Sequence, residues 1–133
     1  MLLRPRKHLV WALFAALGLF CVTQSGCKQS RTRYCAGNAS MTFSGIEFAV
    51  GDGPAVDASG NCNITLNNCT IRAPEGIHAA GNATVTITGG TLAGSSNAID
   101  ASGNAKVIVS GTQVTGPVHK SGNAKVTGVT VTP

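Results

Sequence analysis

The chain has 133 residues, 43% of them hydrophobic and 11% charged, and a formal net charge of +5. Much of that charge sits at the start, in Arg4, Arg6 and Lys7; beyond residue 26, seven Lys and Arg face five Asp and Glu, a balance of +2. Only Tyr34, Phe43 and Phe48 are aromatic in that stretch, so the dense basic face and stacking platforms of a nucleic-acid binder are lacking.

Residues 1–26 have the layout of a signal peptide. The basic residues form an n-region, Leu9 to Val22 an apolar run, and Thr23, Gln24 and Ser25 a small, polar end. The apolar run is shorter than the roughly 18–20 residues that cross a bilayer. Ser25-Gly26-Cys27 resembles the lipobox of bacterial lipoproteins, with Gln24 where Leu is usual. The resemblance implies that Cys27 is lipidated and anchors the mature chain to a membrane. Ordinary cleavage after Ser25 is the alternative. Residues 27–36 then read as the anchor cysteine and a polar tether that carries Lys28, Arg31 and Arg33.

From residue 37 to 133 one phrase recurs five times. Its Gly-Asn pairs place asparagine at Asn38, Asn61, Asn82, Asn104 and Asn123, at spacings of 23, 21, 22 and 19 residues. A period of this size marks a solenoid whose repeats bury their apolar faces on one another. Each phrase alternates with period two, as in Cys62-Ile64-Leu66, Ala83-Val85-Ile87 and Ala105-Val107-Val109, which predicts a strand. Gly45, Asn68, Gly89, Gly111 and Gly128 follow, residue types that accept a left-handed corner. A second short strand ends at Phe48, Ile71, Leu92, Val114 and Val131, and a third carries Val56, Ile77, Ile99 and Val118. Three strands and three corners per repeat predict an all-β fold, a parallel β-helix of about five coils. Equivalent residues then stack about 4.8 Å apart, in a body about 24 Å long. The five asparagines are expected to form an amide ladder along one corner.

The coil length and strand pattern resemble right-handed parallel β-helix proteins. The G-N-x-x-V-x-I phrase resembles a family of exported bacterial repeat proteins of unknown function. That resemblance implies a scaffold and no particular chemistry.

Cys62 and Cys69 both project inward in the second coil and are candidates for a disulfide in an oxidising compartment; the alternative is a pair of small thiols filling the core. Cys35 is left single if Cys27 carries lipid, and pairs with Cys27 otherwise. With no C-x-x-C pair in the sequence, a cysteine metal site is not expected.

One polar constellation stands out. Asp57, His78, Asp100 and His119 occupy the same position of consecutive third strands, and should point outward as a column. The plainest reading is a surface charge ladder, with exposed pairs contributing about 0–1 kcal/mol each. A site for zinc or a similar ion is a second reading, since His and carboxylate suit it; no metal is assigned, because a linear column supplies adjacent pairs where three or four converging ligands are needed. A carbohydrate-binding or polysaccharide-degrading role for the column is a further alternative. It rests on fold-level analogy and on Asp57 and Asp100 lying about 9.6 Å apart by strand spacing. No cofactor is expected. The sequence thus predicts a non-enzymatic structural or interaction module, lipid-anchored in the bacterial cell envelope or secreted. Self-assembly by end-to-end stacking through an uncapped last coil is an alternative.

Overall fold

The computed structural model describes residues 28–130, so the signal segment, Cys27, Val131 and Pro133 lie outside the described residues. Thirteen strands and no helix are present among them. In chain order they are β1 (Lys28–Gln29), β2 (Arg33–Cys35), β3 (Ser40–Ser44), β4 (Glu47–Ala49), β5 (Pro54–Ala58), β6 (Asn63–Asn67), β7 (Thr70–Ala79), β8 (Thr84–Thr88), β9 (Thr91–Ala101), β10 (Lys106–Ser110), β11 (Gln113–Thr115), β12 (Val118–Lys120) and β13 (Lys125–Thr127).

Every pairing is parallel and joins one turn to the next. One face is a five-stranded sheet in the order β13-β10-β8-β6-β3. The other faces belong to one eight-stranded sheet, where β1, β4, β7, β9 and β11 stack in one part and β2, β5, β7, β9 and β12 in the other. The molecule is a parallel β-solenoid of about five turns. In the second and third turns the two short strands expected after the left-handed corner are one continuous strand. β7 runs for 10 residues and β9 for 11. They bend without leaving the ladder, through a register shift between Ala73 and Glu75.

Residues 28–35 are not a tether. β1 pairs with β4 and β2 with β5, so this segment forms a partial turn ahead of the first full one. The Gly-Asn phrase is absent there, which is why the repeat pattern does not extend to it.

Apolar side chains pile into columns inside the solenoid. Phe43, Leu66, Ile87 and Val109 share one register position, and Val56, Ile77 and Ile99 share another; all seven are buried. Phe43 meets Phe48 edge to face, with ring centroids 5.5 Å apart. Burying each aliphatic side chain of this size stabilises the fold by roughly 1.5–3 kcal/mol. Ala39, the first member of the Cys62, Ala83, Ala105 column, is exposed.

The corners follow the expected residue types. Gly45, Asn68, Gly89, Gly111 and Gly128 all have positive φ, with Asn68 at 51° the one non-glycine residue of that kind among the described residues. At the Gly-Asn corner each asparagine N–H donates to the glycine carbonyl one turn earlier. Asn61 to Gly37, Asn82 to Gly60, Asn104 to Gly81 and Asn123 to Gly103 are all 2.8 Å.

The disulfide joins Cys35 to Cys62, at a Cα–Cα distance of 6.0 Å, and Cys69 is free and buried. Of the two readings of Cys62 and Cys69, the bridge between them is corrected, while Cys69 is the small core-filling thiol of the other. Both side chains do point inward, but the five-residue strand β6 lies between them. At about 3.3 Å per residue it holds them some 16 Å apart, beyond the roughly 7 Å limit for a bridge. Cys35, treated in the sequence as single or as a partner for Cys27, ends the partial turn close to Cys62. Its partner was hidden because that turn carries no repeat phrase.

Candidate functional site

Two side-chain columns run along the outside of the solenoid. The first is the asparagine column. Asn61 Nδ2 donates to Asn38 Oδ1 at 3.0 Å, Asn82 to Asn61 at 3.1 Å, Asn104 to Asn82 at 3.2 Å and Asn123 to Asn104 at 3.3 Å. Each interior amide donates one N–H to one neighbour and accepts from the other, which leaves its second N–H and second lone pair facing solvent.

The second column is the acid–imidazole one. Parallel pairing places Asp57 beside His78, His78 beside Asp100 and Asp100 beside His119. Tyr34 of β2 heads the same column, beside Asp57, and is largely exposed. The column divides into two hydrogen-bonded pairs. His78 Nδ1 donates to Asp57 Oδ1 and His119 Nδ1 to Asp100 Oδ1, both at 3.1 Å. Exposure of the side chains is 34% for His78, 25% for Asp57, 60% for His119 and 26% for Asp100. At that exposure each pair contributes little, about 0–1 kcal/mol.

The sequence reading missed Glu75. The ligand atoms of Glu75, His78 and Asp100 all lie within 4.8 Å of one another. Strict alternation back from His78 would turn residue 75 inward. In β7, however, Gly76 and Ile77 are both buried, and Glu75 and His78 flank them on the outer side. The same doubled inward pair recurs at Ala55-Val56 and Ala98-Ile99. This local break in alternation resets the parity of the strand. The composition of Ala73-Pro74-Glu75-Gly76 is that of a turn. A usable signal was there: Ala, Gly and Ala stand just before the buried β-branched residue in successive turns, with Pro54, Glu75 and Asn97 ahead of them.

Burial pushes the Glu75 carboxyl above its ordinary value. His78 pulls the other way, while the carboxylates of Asp100 and Asp57 and a hydrogen bond with Asp100 add to the rise. Three of the five acidic residues beyond position 26 are thus gathered at one place. Their only ion-pair partners among the described residues are the two histidines, with no Lys or Arg. Glu75 adds a third potential ligand beside His78 and Asp100, which the column alone does not supply.

A separate open concavity of about 420 Å³ is lined by Val50, Arg72, Pro74 and Ser95, among others. It shares no residue with the column and has no aromatic wall for a sugar ring.

Compared with known proteins, the chain matches no family model, no curated protein and no solved structure.

Proposed function

We propose that this protein is an exported structural or interaction module of the cell envelope, a short β-solenoid held at a membrane by lipid on Cys27. The observation that carries this reading is the Cys35–Cys62 disulfide. Such a bond persists in oxidising compartments outside the cytoplasm. The signal-like leader and the resemblance of the G-N-x-x-V-x-I phrase to exported repeat proteins point the same way. The Asn column adds to it, since its polar groups bond to one another along the stack, as in a scaffold.

The test is fractionation of native cells that express the wild type or Cys27→Ala, with non-reducing mass spectrometry of the recovered protein. The wild type is expected in the membrane fraction with residues 35 and 62 bridged, and the variant released or retained as precursor. Recovery from the cytosol with free thiols at both positions overturns the reading.

A second reading, self-assembly, is favoured by the two ends of the five-stranded sheet. Among the described residues, β3 and β13 each pair on one side only. Ala124, Val126 and Val129 of the last turn are half-buried, and so is Met41 of the first. Pairing β13 of one copy with β3 of the next is a heterologous contact, which builds filaments rather than closed dimers. Light scattering across a concentration series tests it, and a monomer at the highest concentration removes it.

A further inference from the structure

We propose that Glu75, His78 and Asp100 form a binding site for one divalent transition-metal ion of the zinc type, with Asp57 and His119 as the groups that orient its ligands. The ligand set is one imidazole and two carboxylates from adjacent strands, β7 and β9. That donor chemistry suits zinc and its neighbours, and leaves further coordination positions open to solvent or to a ligand.

Three observations converge on it. The first is distance: the three donors already lie within 4.8 Å of one another. Ligands of a tetrahedral zinc sit at about 2.0–2.1 Å from the metal, hence roughly 3.3 Å apart. Partly exposed side chains close the difference by small rotations, because the backbone beneath is fixed by buried Ile77 and Ile99.

The second is the orientation of the ligands. His78 Nδ1 is hydrogen-bonded to Asp57 Oδ1 at 3.1 Å; with the shared proton on Nδ1, the imidazole keeps a lone pair on Nε2 for a metal. A carboxylate behind the imidazole is the usual support for a metal-bound histidine. Asp100 is held in the same way, since its Oδ1 accepts from His119.

The third is a surplus of carboxylates over fixed positive charge, with histidines as the ion-pair partners. Asp57, Glu75 and Asp100 cluster without a Lys or Arg partner among the described residues, on a chain whose remainder is net basic. Like charges held this close disfavour one another, and a dication placed between the carboxylates removes that cost. A plain surface ladder requires only the two Asp–His pairs and gives no reason for the third carboxylate.

The experiment is calorimetric titration of the oxidised, full-length exported protein with zinc chloride, alongside Glu75→Gln and His78→Gln. The expected result is one zinc per chain for the wild type, with affinity at least tenfold lower in each variant. Calcium and magnesium prefer all-oxygen sites and should bind at least tenfold more weakly than zinc. His119→Gln should weaken zinc by about 10-fold through loss of ligand support. No zinc heat in the wild type, or undiminished binding in either Glu75→Gln or His78→Gln, overturns the site. NMR of the wild-type imidazoles gives a readout independent of variant folding. Zinc should shift the His78 signals more than those of His119, and the reverse order also overturns it.

Discussion

Single residues hold this fold at its corners. Gly81 has φ +67°, and a Cβ there would meet the Gly60 backbone at 3.1 Å from N and 3.2 Å from O. Gly37 has nearly the same φ, +68°, but open space around the would-be Cβ. An L-residue in this conformation costs about 1–2 kcal/mol. Gly37→Ala should therefore lose about that much, and Gly81→Ala more, because two turns must also move apart. Urea denaturation of the two variants measures the difference; equal losses would show that stacking distance is not limiting. Cys69 is the other informative residue. It is buried, and its single S–H has two carbonyl acceptors in reach, Phe43 at 3.6 Å and Asn67 at 3.5 Å. Burial pushes it above the ordinary 9.0, partly offset by backbone hydrogen bonds. The folded state therefore keeps the proton longer than the unfolded chain does. This contribution to stability is whole below pH 9.0 and is lost as pH rises through the folded value. At pH 8 the native thiol should resist iodoacetamide and become alkylated on unfolding in urea. Fast labelling of the native protein would contradict this protonated, enclosed state.

Strands and columns form the next scale. The asparagine ladder adds side-chain bonds to a corner already closed by backbone ones. Asn82 makes two of them, to Asn61 and from Asn104, whereas Asn123 makes one, to Asn104, among the described residues. An exposed amide bond contributes at the low end of about 0.5–1.5 kcal/mol. Asn82→Ala should cost about 1 kcal/mol and Asn123→Ala about half of that, read from chemical denaturation midpoints. A larger loss at Asn123 would mean that the ladder is not what matters there. This ladder was legible in the sequence because a stacked turn repeats its needs: Gly for the positive φ, Asn for the side-chain bond. The Asp-His column was legible for the same reason, since one register position recurs in every third strand. Glu75 was not legible. Period two holds within a strand but fails where two consecutive residues turn inward, and β7 has such a pair at Gly76-Ile77. The length of β7 and β9 was lost to the same feature, because their bend looks like a loop in sequence.

Across the whole molecule, neighbouring turns support one another in series, so stability depends on how the ends are held. The two ends differ. At the C-terminal side, β13 has one partner strand and its apolar residues are only half covered. At the N-terminal side the disulfide closes a span of 27 residues that contains β3, β4 and β5. It ties the partial turn to the start of the second, with the entire first turn between. Sequence alone did not show this, since the partial turn has none of the repeat residues and owes its place to the solenoid it packs on. By chain entropy, a closed loop of this size stabilises the fold by about 3–4 kcal/mol. The last turn should therefore open first in the oxidised protein, with amides of residues 118–130 exchanging faster than those of 40–58. In the double variant Cys35→Ser/Cys62→Ser the clasp is gone while β1 and β2 keep only their short pairings. Exchange across 40–58 should then rise about a hundredfold, toward the rate of the last turn, while β8 and β10 stay protected between intact neighbours. Hydrogen-exchange mass spectrometry reads both regions in one experiment. Unchanged protection at 40–58 would mean that the first turn is held by its Phe43–Phe48 packing rather than by the covalent clasp.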